Sequence, residues 1–165
     1  MKNQTDTITP KEFLKTIGII YLALLTGLIG FGIYIFLQKE SWQFKFNNES
    51  DPFFYLVPLL AISGIFMGQY LFNKQISTTN DKESLREKLS GFQAAAILQY
   101  ALIEGPAMLG LVASLKTGNL LYISISGLLI LYFIVLRPGK ERIEKHLRLS
   151  QELKKQFDMS EHPLS

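Results

Sequence analysis

The stretch Gln99-Tyr100-Ala101-Leu102-Ile103-Glu104-Gly105-Pro106-Ala107-Met108-Leu109-Gly110 decides how this chain is read. It sits inside a segment, 92–115, in which Glu104 is the only charged residue. About 24 residues make roughly 36 Å of helix, enough to cross a bilayer. Counted from Phe92, Glu104 stands about 18 Å along the axis, close to mid-membrane. A charge there costs about 2.5–3.5 kcal/mol on insertion scales. Two residues on, Pro106 removes a helix hydrogen bond and frees the carbonyl of Leu102.

Three further segments lack charge: 16–37, 53–72 and 120–136. The first is about 22 residues long, too long for the apolar region of a signal peptide, and has no A-x-A exit, so it reads as a span. Thr9-Pro10-Lys11-Glu12 before it has the pattern of a helix start, with a Thr cap, Pro at the first position and an acidic first turn. It predicts a short interfacial helix leading into the span. The second span carries Pro58 near its start and Gln69 near its end. The fourth, about 17 residues, is at the short end of the spanning range. Lys116-Thr117-Gly118-Asn119 joins spans three and four through a tight turn that needs a left-handed residue. Small residues one turn apart, Gly64 with Gly68 and Ala23 with Gly27, suit close helix packing.

The connecting segments carry the charge. In the first loop Trp42, Phe44 and Phe46 alternate with polar residues, so an extended chain puts all three on one side, against lipid headgroups. Asn48-Glu49-Ser50 matches a glycosylation sequon close to the membrane. The segment 81–89 reads as a short charged surface helix capped by Asn80 or Asp81. After Arg137-Pro138-Gly139, residues 140–157 form an amphipathic pattern. Ile143, Leu147, Leu153 and Phe157 lie on one side with Leu149 at its margin, and Lys140, Arg142, Lys145, Arg148, Lys154 and Lys155 cover much of the rest. Such a helix lies on the inner membrane surface or meets a partner helix. The last residues, 158–165, read as disordered.

The expected architecture is therefore all-α: an integral membrane four-helix bundle with a cytoplasmic amphipathic C-terminal helix. Residues 1–15 form the first terminus, 16–136 the membrane domain and 137–165 the basic tail. Of the 17 Lys and Arg residues, 14 fall on the side of the two termini. The positive-inside rule then places both termini in the cytoplasm. A net charge of +3 does not signal nucleic acid here, because the basic residues flank spans. Cysteine is absent, which removes disulfides, thiolate metal sites and thiol nucleophiles.

The candidate site is Glu104 with Gly105, Pro106, Tyr100 and Gln69; Gly64, Gly68, Ala23 and Gly27 are helix-packing candidates. No basic side chain from any span reaches the depth of Glu104, so its carboxyl is either protonated or hydrogen-bonded and hydrated within the bundle. Partners available to it are Thr26, Ser63, Gln69, Ser124, Ser126 and the tyrosines. One lone Glu supplies neither a nucleophile with its base nor a set of metal ligands, so neither catalysis, a metal nor a cofactor is expected. Two functions compete. In one, Glu104 is a packing residue of a structural or accessory interaction protein. In the other, it binds and releases a proton or cation during transport, with carbonyls freed by the Gly-Pro break beside it. The expected partners are the bilayer and either a second copy or another membrane protein.

The residues from Glu104 to Val112, Thr117-Gly118-Asn119, and Arg137-Pro138-Gly139-Lys140-Glu141-Arg142-Ile143 resemble a group of uncharacterised small four-helix bacterial membrane proteins. These share a mid-membrane Glu-Gly, a short Thr-Gly-Asn turn and an Arg-Pro exit into a charged helix. The resemblance covers the second half of the chain and implies a bacterial inner-membrane location without an activity. Glu104 followed by Leu109-Gly110-Leu111-Val112 is also similar to the proteolipid c subunits of rotary ATPases. The chain departs from them in lacking their glycine-repeat helix and in its long charged loop and tail.

Overall fold

A computed structural model describes residues 9–46 and 51–159. The sequon at 48–50, His162 and the end of the chain from residue 160 lie outside the described residues. All regular elements among the described residues are helices. They are α1 (Pro10–Gln38), α2 (Phe53–Asn80), α3 (Leu85–Thr117), α4 (Leu120–Val135), α5 (Lys140–Leu147) and α6 (Gln151–Asp158).

The start of α1 follows from its first residues. The Thr9 hydroxyl accepts from the Glu12 N–H at 3.2 Å, and the Glu12 carboxylate accepts from the Thr9 N–H at 3.0 Å. This reciprocal cap satisfies two otherwise orphaned donors. Nothing after it breaks the helix, so the expected interfacial helix and the first span are one element of 29 residues. Likewise α2 runs past Phe72 to Asn80. The expected surface helix at 81–89, with a cap at Asn80 or Asp81, is corrected in two ways. Ser84 is the cap, its Oγ accepting from the Glu87 N–H at 3.2 Å. From Leu85 the chain then continues unbroken into the apolar segment and through Pro106 to Thr117.

Three helices, α1, α2 and α3, are long and apolar enough to cross a membrane. The 16-residue α4 counts as a fourth when taken with α5, to which it is bent by 77°. α3 is the centre of the packing. In its most apolar window 44% of residues are buried, against 17% for α1 and 22% for α2. Outward-facing residues are large and apolar: Ile33 and Phe36 on α1, Leu59 and Phe66 on α2, Leu128 and Leu131 on α4, all more than half exposed. In water such a surface would be a liability, whereas lipid accepts it.

The helix pairs meet in a way that fixes their directions. At one end, here the Gly118 end, the α3–α4 turn is strapped by the segment after α1. Gly118 has φ 68°, the left-handed conformation expected of it. The Gln43 N–H donates to the Gly118 carbonyl at 3.0 Å and the Leu120 N–H to the Gln43 carbonyl at 2.9 Å. Buried Asn119 caps α4 through the Leu121 N–H and also bonds both backbone groups of Lys45. Tyr122 donates to Asp51 Oδ2 at 2.6 Å. The aromatic alternation of this loop divides: Phe44 and Phe46 meet at 4.7 Å and are exposed, whereas Trp42 stacks on Phe36 at 5.8 Å and is partly buried.

At the other end Tyr21 of α1 donates to the carbonyls of Phe133 and Ile134 in α4, so the start of α1 and the end of α4 lie together. The tail folds back here. It is two short helices, not one: Arg148 (φ 42°) breaks the pattern and Ser150 caps α6 through the Leu153 N–H at 3.3 Å. The expected apolar side holds, with Ile143, Leu147, Leu149 and Phe157 buried. Asp158 closes α6 and binds Lys140 at 2.5 Å, which corrects the expectation of disorder from that residue.

Candidate functional site

Gln99 and Tyr100 are consecutive on α3, both essentially inaccessible to solvent. Long helical side chains lean toward the helix N-terminus, which aims both at the Arg142 end. There Arg142 of α5 enters. Its Nη2 donates to Gln99 Oε1 at 2.7 Å; its Nη1 donates to the Leu136 carbonyl and, at 3.4 Å, to the Tyr100 hydroxyl. Tyr100 in turn donates to the Leu136 carbonyl at 3.1 Å. Gln99 Nε2 donates to Gln69 Oε1 of α2 at 3.0 Å, and Gln69 continues to Asn73 at 3.4 Å. The guanidinium carbon lies 4.9 Å from the centre of the Phe72 ring and 6.0 Å from that of Phe92.

None of these partners carries a negative charge. The cation is held by carbonyl dipoles, a hydroxyl and two aromatic faces, which suits a planar, delocalised guanidinium better than an ammonium. Burial pulls its pKa below the ordinary arginine range, opposed by the Tyr100 hydroxyl. Leu136 follows the end of α4, so its carbonyl is one that the helix leaves free, at the negative end of the helix dipole. One side chain thus ties α3, α4 and the tail together. Around it, His146 Nδ1 donates to the Arg142 carbonyl at 2.7 Å, and the His146 ring meets Phe72 edge-on at 5.1 Å. Asn80 Nδ2 donates to the His146 carbonyl at 3.0 Å, and buried Lys88 binds the Asn80 carbonyl at 2.6 Å, capping α2.

Of the expected site residues, the fold joins Tyr100 and Gln69, through Gln99 and Arg142, but not to Glu104. Glu104 is partly buried, and its carboxyl has no hydrogen-bond or ion-pair partner among the described residues. It lies between Tyr100, whose ring is 5.6 Å from that of Tyr21 on α1, and Leu111, which faces Gly32 on α1. Spacings of four and seven residues put Glu104 on that same α1-facing strip.

The Gly-Pro break serves packing. A Cβ at Gly64 of α2 would collide with the Leu102 carbonyl oxygen and come within 3.1 Å of Pro106 Cγ. The carbonyl freed by Pro106 is therefore covered by the bare backbone of Gly64, where a weak Cα–H···O contact suits it. Residues two apart on a helix diverge by about 200°, so this carbonyl points away from Glu104. Gly68 makes only ordinary contact, at 3.5 Å and beyond. Gly105 has open space around it, as does Gly27. Ala23 and Gly27, expected to pack helices, are exposed, and nothing lies within 4 Å of a Cβ at Gly27 among the described residues. The close α3–α4 approach comes instead at Gly110, against Ser126, whose hydroxyl donates to the Ala107 carbonyl at 2.9 Å.

Sequence reasoning missed Arg142, which it placed on the solvated side of the tail. The available signal was the Gln99-Tyr100 pair itself: two polar side chains within an apolar segment require partners. Among the described residues no three His, Asp or Glu side chains gather as a metal site would need. No family model, curated protein or solved structure matches this chain.

Proposed function

We propose that this protein is a non-catalytic accessory or interaction protein of the bacterial inner membrane, and that Glu104 meets a helix outside this chain. α1 to α4 are its four spans, with both termini and the tail helices α5 and α6 on the cytoplasmic side. The arrangement of charge supports that orientation, since 14 of the 17 basic residues of the sequence belong to the two termini and the segment between the second and third spans.

One observation carries the functional reading: the only carboxyl at mid-span depth has no partner among the described residues, while neighbouring Gln69, Gln99 and Tyr100 are hydrogen-bonded. A carboxyl in hydrocarbon gains most from a hydrogen-bonding partner, and a second helix supplies one. The outward-facing Ala23 and Gly27 give α1 the spacing for a close external contact as well. Transport by Glu104 has less support, because the freed Leu102 carbonyl lies against Gly64 rather than beside the carboxyl.

The natural absence of cysteine makes the test direct. A single Ala101→Cys substitution, one turn from Glu104 on an exposed position, is crosslinked in native membranes. A specific adduct is expected, either with a second copy or with another membrane protein, and it should be lost when Glu104→Ala is added. An adduct indifferent to Glu104, or none at all, overturns the reading. In liposomes loaded with a pH-sensitive dye, wild type and Glu104→Gln should leak protons alike; a leak that needs Glu104 would establish transport instead.

A further inference from the structure

Between α1 and the last turn of α4, at the Arg142 end, runs a groove of about 490 Å³. Leu14, Gly18 and Leu25 recur at helical spacing and line it from α1; Ile134 closes it from α4. Gly18 keeps it open, since nothing lies within 4 Å of a Cβ built there. Ile134 is 45% exposed and Leu22, also on the groove, 55%, so it opens sideways onto the surface that α1 and α4 present to lipid. At its polar rim stands Arg137, the first charged residue after the apolar run of α4. Its side chain is exposed and makes no hydrogen bond or ion pair among the described residues. Unlike Arg142, five residues on, it has no internal acceptor.

We propose that this groove holds one anionic phospholipid, with its phosphate on Arg137 and an acyl chain along Leu14, Gly18 and Leu25. Charge complementarity selects the occupant. A guanidinium where the span leaves the hydrocarbon stands at headgroup level, and its planar fork matches two phosphate oxygens. The basic residues of this end add an attraction for anionic lipid that a zwitterionic headgroup, with its own ammonium, does not share. The inference rests on the reading of α1 and α4 as spans.

The test uses the full chain extracted in detergent, with lipid retention followed by native mass spectrometry and thermal unfolding. Dioleoyl phosphatidylglycerol, dioleoyl phosphatidylcholine and glycerol 3-phosphate are compared. Phosphatidylglycerol should be retained and should raise the unfolding temperature; phosphatidylcholine keeps the phosphate contact but lacks the net charge, and should bind roughly fivefold more weakly as the attraction of the basic end is lost. Glycerol 3-phosphate should do nothing. Arg137→Gln should reduce phosphatidylglycerol retention by about tenfold. Gly18→Leu should fill the groove and abolish retention with helix content unchanged by circular dichroism. Equal binding of the two lipids, retention unchanged in both variants, or a shift with glycerol 3-phosphate as large as with the lipid overturns the site. Recovery of the protein from the soluble fraction without detergent would overturn the span reading itself, and the lipid site with it.

Discussion

A polar pair on α3, Gln99 and Tyr100, and the acidic Glu104 little more than one turn on have opposite fates. Gln99 and Tyr100 are completely enclosed and fully partnered, by Gln69, Leu136 and the incoming Arg142. Glu104 is only partly enclosed and has no partner among the described residues. The acidic residue that looks most costly in the sequence is not where the chain concentrates its own polar bonding. The chain instead spends a basic side chain from the tail on satisfying neutral groups, and leaves the carboxyl on the strip toward α1. The difference separates two levels of one helix: the Arg142 end joins α3, α4 and the tail through hydrogen bonds, and the Glu104 level adds none among the described residues.

Substitutions in the bonded framework around α3 sharpen that contrast. The largest effect is expected from Arg142→Ala, which strands the Gln99 carbonyl and weakens the hold on Leu136; about 3 kcal/mol should be lost, seen as a lower unfolding temperature in detergent. Arg142→Lys should recover only part of it, because one ammonium cannot serve Gln99 and Leu136 while lying over two rings. Next is Gly64→Ala, which forces α2 away from the Leu102 carbonyl and should cost about 2 kcal/mol. Gly68→Ala, four residues on, should stay within about 0.5 kcal/mol, since its Cβ meets nothing closer than 3.5 Å. Tyr100→Phe should cost about 1 kcal/mol, the worth of one net hydrogen bond, because Arg142 still serves the Leu136 carbonyl. A Gly68→Ala as damaging as Gly64→Ala would show that α2 and α3 do not meet as described.

What could be read from the sequence was what depends on neighbours along the chain. The Thr9 cap, the left-handed Gly118 and the apolar side of the tail are local, and each appears where its residues imply. Helix ends beyond the apolar segments were not legible, because polarity marks where a helix leaves hydrocarbon and not where it stops. Residues 73–80 and 85–91 are polar and helical all the same. The rotation of each helix was not legible either. Spacing made Ala23 and Gly27 candidates equal to Gly64 and Gly68, yet only the α2 pair faces α3. The inward position of Arg142 depends on the turn at 136–139 bending α5 away from the α4 axis by 77°, a tertiary event with no local mark.

The central claim is that Glu104 lies outside the chain's own polar framework while Arg142 completes it. Thermal unfolding of Glu104→Ala and Arg142→Ala, side by side with wild type in one detergent, tests this most directly. Glu104→Ala is expected to unfold within about 0.5 kcal/mol of wild type while Arg142→Ala unfolds far earlier. A Glu104→Ala protein as unstable as Arg142→Ala would contradict the account and make Glu104 an internal packing residue of this chain.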